Sequence, residues 1–419
     1  MLQSINLSRA ISYPRVMVIL SVVLLLTASC RKNDSGTLTS TSTMRTAPPA
    51  PPKPDSLTQY VFTLDSTGTP TPGIILAAPL NITTPADLPA TGQLLIMDQS
   101  GNVLKEQTTP GSAFGFTRWT IGGQTRYSYV MNDPNAFRTD GQDQNAGYAV
   151  VTDSNLNSIE TFNFIPYAGD SSFLPGQSLD IHDFILISDN HYIDLSYVVK
   201  HVNNIPAYLH PSPKIQVVAP IIEEVNNGSV VWHWDGSMDT SFYANSVTTN
   251  DFTDSTAAQD YMHMNSLFID PRDNNLICSM RNQDQVMKLN RTTGAVMWRL
   301  GGTNSDFPMD PGQAFLLQHH ATLTDNNQTL LIYDDGSPAR PTSRIVEFQL
   351  DEANKKINSF KSLILPETWS PAMGSVQKMG NEYFISGGAT DYMLEINYVT
   401  GQKVMEYKGT LPTYRAFKY

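Results

Sequence analysis

From about Tyr60 to Tyr419, short apolar runs alternate with clusters of Gly, Asp, Asn and Ser. This spacing predicts strands joined by tight turns, since turn residues between short apolar runs mark hairpins. The most informative stretch runs from Gln318 to Arg344. His319-His320 opens one strand, Asp325-Asn326-Asn327 makes a turn, and a second strand ends in Asp334-Asp335-Gly336. The same succession occurs around His263, with a turn at Asp270–Asn275 and a strand from Leu276 to Arg281. It occurs again around His182, with a turn at Asp189-Asn190. A weaker copy without histidine runs from Gly374 to Ser386. The copies lie 81, 56 and 55 residues apart. A period near 50 built from short strands predicts a β-propeller. The longest spacing requires an insertion.

A second periodic strand follows in step: Gly228 to Trp232, Gly294 to Trp298 and, more loosely, Gly401 to Tyr407. Together the two repeats predict an all-β, six-bladed β-propeller. Its last blade, near Tyr407, is expected to be closed by an N-terminal strand within residues 60–78, because an open edge invites unwanted pairing. No stretch is convincingly helical, and Asp254–Tyr261 is the best candidate for a short helix.

The chain before this region changes the picture of location. Arg9 and Arg15 precede an apolar run, Val16–Leu26, too short to remain as a membrane span. Leu26-Thr27-Ala28-Ser29-Cys30 resembles a lipobox, so residues 1–29 are expected to be removed and Cys30 lipidated. Residues 30–58, rich in Ser, Thr and Pro, read as a semi-rigid tether. The domain expected to act is 59–419, in a cell-envelope lipoprotein on the periplasmic side or the outer membrane surface.

The net charge is −12, and loss of residues 1–29 removes two arginines and no acid, giving −14. An acidic chain without basic runs excludes nucleic acid as the expected partner. With Cys30 lipidated, Cys278 has no cysteine to pair with. Nothing in the sequence fixes an oligomeric state.

Recurrence at one blade position would set His182, His263 and His319 around one axis. Together with Ser279-Met280-Arg281, the Trp298–Gly302 run, Gln318-His319 and Asp335-Gly336, these strands resemble the bacterial arylsulfate sulfotransferase family. That family consists of six-bladed propellers that move a sulfuryl group between phenols without a nucleotide donor. The resemblance spans roughly residues 60–419. It implies a phenolic sulfate donor, a phenol acceptor, a covalently sulfated histidine at His319, partner histidines at His182 and His263, and an arginine at Arg281. Asn265 and His320 are expected to bind substrate, and no cofactor or metal is expected.

The chemistry fits those residue types. A neutral imidazole can attack sulfur and hold the group. Histidine can give and then take a proton near neutral pH. A guanidinium offers a planar fork to sulfuryl oxygens. Two other readings stand beside this one. Three histidines could hold zinc in a hydrolase or lyase, or the propeller could be a surface module that binds glycans or proteins without catalysis. Arg344 is expected to form an ion pair with Asp335. His191, His201, His210 and His233 read as loop or surface residues.

Overall fold

The computed structural model describes residues 63–80, 92–132, 146–167, 178–324, 326–366 and 369–419. Residues 1–62, including Cys30, the signal segment and the tether, lie outside the described residues.

The described residues form five sheets, almost entirely antiparallel, in a propeller arrangement. Three sheets have four strands each. One holds Met264–Ile269, Leu276–Met280, Gln285–Leu289 and Val296–Gly301. The next holds His319–Leu323, Thr329–Asp334, Arg344–Asp351 and Lys356–Ile364. Another joins Ile74–Ala77, Gly92–Asp98 and Val103–Thr109 to the C-terminal strand Phe417–Lys418. A fourth sheet runs from Ser375–Met379 to Lys403–Lys408 and takes Thr63–Ser66 as a fifth strand.

The remaining sheet has eight strands, so the six separate blades expected from the repeat are not what the fold shows. The cause is local. Ala146 and Gly147 pair with Asp180 and Leu179, and this short bridge runs two groups of strands into one sheet.

Closure also differs from expectation. Thr63–Ser66 pairs only with the outer strand Lys403–Lys408, and all four of its residues are exposed. Even its one apolar residue, Leu64, lies exposed. Instead Phe417–Lys418 pairs with Ile75 and Leu76 and is buried. No α-helix occurs among the described residues, only five short 3-10 turns. Asp254–Tyr261 is not one of them. Gly236–Met238, Thr240–Asn245 and the loop after them lie within the 81-residue spacing.

The repeated histidine strands are the first strands of their groups, and they touch in succession. Leu179–Ser188 meets Met264–Ile269, which meets His319–Leu323, then Ser375–Met379, then Phe417–Lys418. The Gly-x-Val-x-Trp strands are the last of theirs, at the outer edge.

First strands of different sheets form no backbone ladder with one another, yet their buried polar groups need partners. Side chains supply them. Asn265 donates to Gln318 O at 2.8 Å, Ala321 N–H donates to Ser266 Oγ at 3.0 Å, and Leu267 N–H donates to Asp183 Oδ2 at 2.8 Å. Gln318 Nε2 donates to Ser279 Oγ, Met280 O and Gln285 O. The motif residues around the histidines are therefore the stitching that holds neighbouring strands in place.

Candidate active site

Each of the three histidines has its Nδ1 bonded to a carboxylate, and each pair is built differently. Asp180 lies two residues before His182 on the same strand, bonding its ring and accepting its N–H at 2.9 Å. Asp260 lies in the loop before His263 and bonds Nδ1 at 2.6 Å. His263 has φ 48°, a left-handed conformation uncommon for a side-chain-bearing residue. Its own N–H donates to the same aspartate at 3.1 Å. Asp335 follows the strand that pairs with the His319 strand and bonds His319 Nδ1 at 2.6 Å.

The rings converge. His182 and His263 lie edge to face with centroids 5.0 Å apart. Tyr197 lies 6.0 Å from each of them, and Tyr414 lies 5.8 Å from His182. Burial grades through the group: the His319 side chain is 2% exposed, His182 10% and His263 21%. His263 is thus the most exposed of the three and His319 the most deeply buried.

Arg281 begins a 3-10 turn at the end of its strand, with its N–H bonded to His263 O at 2.9 Å. Its guanidinium donates to Asn282 Oδ1 at 3.0 Å. Burial holds the His319 pKa well below the ordinary histidine value, and the charges of Arg281, His182, His263 and Arg415 push it the same way. His319 is thus kept neutral. Burial drives the Asp335 carboxyl well above the usual carboxylate range, and Arg281 opposes that rise. Arg281 therefore acts electrostatically on both members of the pair.

Asn265 and His320 have different surroundings. Asn265 is fully buried and spans two strands through Gln318 O, a positioning contact. The His320 ring accepts from Val376 N–H at 3.2 Å and lies against Phe417, with centroids 5.4 Å apart. Burial lowers its pKa strongly as well. Arg344 pairs with Asp334 at 2.6 Å rather than with Asp335. Asp335 is committed to His319, whereas Asp334 points to the other side of the strand and also takes Arg340. His191 is half-buried and bonded to Glu224 at 2.7 Å, not a free loop residue.

Sequence reasoning did not find Asp180, Asp260, Tyr414 or Arg415, and it gave Asp335 to Arg344. Arg415 is 3% exposed; it donates to Asp183 Oδ2 at 3.1 Å and to Asn265 O. Burial opposes its charge, but Tyr414 and Asp183 outweigh burial and hold it protonated. The spacings Asp-x-His and Asp-x-x-His were available as signals for Asp180 and Asp260. No local signal could have placed Arg415. Among the described residues, no group of three or more His, Cys, Asp or Glu side chains is arranged to hold a metal ion.

Fold and site together define an all-β propeller with histidine–carboxylate pairs and an arginine converging on the inner strands. The chain belongs to the arylsulfotransferase (ASST) family, whose model matches residues 80–419. The family implies sulfuryl transfer from an aryl sulfate to a phenol.

Similar solved structures include a protein of unknown function from Bacteroides caccae, with 11% identity over 83% of this chain and 99% of that one, at a TM-score of 0.45. A periplasmic gluconolactonase from Pseudomonas aeruginosa shows 11% identity, the same coverages and a TM-score of 0.43. A putative 6-phosphogluconolactonase from Bacteroides fragilis shows 10% identity, covering 85% and 100%, at 0.40. No curated protein matches the chain.

Proposed function

We propose that this protein transfers a sulfuryl group from a phenolic sulfate ester to a phenol through a sulfohistidine at His319. The observation that carries the reading is a buried imidazole held neutral beside Arg281, within a family that moves sulfuryl groups. A His319 nitrogen attacks sulfur, the S–O bond to the aryl group breaks, and the bond pair leaves on the phenolate oxygen. His182 or His263 supplies the proton that makes this phenol. Arg281 meets the sulfuryl oxygens as charge shifts onto them. The acceptor phenol then gives its proton to the same histidine, its oxygen attacks sulfur, and the N–S bond breaks. Donor and acceptor thus react in turn, with ping-pong kinetics.

The test is mass spectrometry of protein quenched during reaction with donor alone. The peptide holding His319 should gain about 80 Da, the mass of one SO₃ group on a covalent nucleophile. Robust turnover without this adduct, with kinetics that require both substrates bound together, would overturn the covalent reading.

Two further points belong to this proposal. The eight-stranded sheet is read as two four-stranded groups, Ala113–Phe162 and Leu179–Asp235, joined at one short bridge. The lipobox-like segment supports attachment to the cell envelope through Cys30. Cys30→Ser should move the protein from the membrane fraction to the soluble fraction.

A further inference from the structure

Both nitrogens of His319 have partners. Nδ1 faces Asp335 Oδ2 at 2.6 Å, and the Met373 peptide N–H points at Nε2 from 3.3 Å. An imidazole leaves two tautomers open, and a carboxyl group alone does not choose between them. Ionised Asp335 accepts a proton from Nδ1; protonated Asp335 donates to Nδ1 and leaves the proton on Nε2. A peptide N–H can only donate, so it decides the matter. Nε2 must carry the lone pair.

The peptide is fixed for this. Met373 has φ 67° and Gly374 φ 101°, both left-handed. A Cβ on Gly374 would lie 2.7 Å from Tyr333 Cε1 and 3.0 Å from Ser386 O. Gly374 N–H is itself tied to Tyr414 O at 3.0 Å. A strained turn held from both sides thus aims one N–H at one ring nitrogen. At the other end, Asp335 is fully buried and its Oδ1 has no hydrogen-bond partner, so the Nδ1 proton is the contact its carboxylate has to offset burial, with the charge of Arg281 acting in the same direction.

We propose that Asp335 and the Met373 peptide form a two-ended tautomer clamp that makes Nε2 the attacking nitrogen of His319, with Asp335 as a positioning residue. The proposal rests on the sulfohistidine reading and deepens it. Attack converts the ring to an imidazolium with sulfur on Nε2 and the original proton still on Nδ1. The Asp335 carboxylate then faces a positive ring. The Met373 N–H, whose lone-pair partner is now bonded to sulfur, is left beside the sulfuryl oxygens.

The experiment uses the full chain with 4-nitrophenyl sulfate as donor. Asp335→Asn replaces an acceptor by an amide that can donate to Nδ1 and so drives the proton onto Nε2. The expected result is a fall of roughly a thousandfold or more in the burst of nitrophenol, the size known for a buried aspartate that fixes a catalytic histidine. Thermal stability should change by only a few degrees. Nitrogen-15 NMR of histidine-labelled protein adds a readout that a merely structural role would not move. His319 should be protonated at Nδ1 in the parent protein and at Nε2 in the variant.

A parent His319 protonated at Nε2 overturns the clamp, as does a variant that forms the adduct within tenfold of the parent rate. If the variant does not fold, the parent spectrum alone decides. If the parent forms no adduct at all, the covalent reading falls, and the spectrum still tests the clamp.

Discussion

Burial that keeps His319 neutral has a cost with a definite sign. The unfolded chain binds a proton near the ordinary histidine value of about 6.5, and the folded site refuses it. Folding stability from this group is therefore lost as pH falls below that value. The nucleophile itself should stay unprotonated over the same range, so the acid limb of kcat/KM should not be a His319 titration. His319→Ala should abolish both turnover and adduct. Arg281→Ala should lower kcat on the order of a hundredfold or more, the usual effect of removing one transition-state donor. Arg281→Lys should recover only part of it, because an ammonium lacks the planar fork. Steady-state kinetics with a fixed acceptor check all three variants. A smaller loss for Arg281→Ala would place its guanidinium off the sulfuryl oxygens. The three histidines could be grouped from the sequence because each opens a repeated strand, whereas Arg281 was named through the family resemblance. Asp335 could be seen but was matched to Arg344, since strand alternation, which sends Asp334 and Asp335 to opposite faces, was not applied to that pair.

The strands divide the work between rows. First strands carry chemistry and are stitched by side chains, while last strands carry Trp298 and its counterparts at the outer edge. That division was legible because each row has its own motif. The bridge at Ala146 and Gly147 was not legible, because pairing of two residues leaves no period. The sheet with this bridge also holds Asp194 and Glu223 directly opposite one another, both fully buried. Burial raises Glu223 to about 8, and burial together with Glu223 raises Asp194. A group whose folded pKa is raised is stabilising below its unfolded value, and that contribution is lost as pH rises through the folded one. The contribution of Glu223 should therefore be lost between about pH 4.5 and pH 8, and Asp194 adds a loss of the same sign as pH rises. Glu223→Gln should flatten this slope and raise the melting temperature at pH 8 more than at pH 5. Parallel melting curves for parent and variant would refute the assignment.

The ring as a whole depends on Phe417–Lys418. Lys418 Nζ lies 2.6 Å from Glu395 Oε2, and both side chains are fully buried. Breaking a buried pair from one side leaves an uncompensated charge and typically costs about 3–5 kcal/mol. Lys418→Met should lose stability of that order in chemical denaturation. Activity should fall with it, because Tyr414 and Arg415 arrive at the site on the same segment. Unchanged denaturation would mean that the pair contributes little to closure. The sequence pointed to closure but chose the wrong end, since edge protection was weighed and the burial of Thr63–Ser66 was not.

Ile75 finds its strand partner Lys418 only across almost the whole described chain. Contacts so distant in sequence make for high contact order and slow folding. While the chain emerges from the ribosome, Ile74–Ala77 must wait with one edge unpaired, and such edges attract other chains. This protein should therefore be most prone to aggregate as a nascent chain, and holding chaperones should matter more for its yield than for that of propellers closed by a local strand.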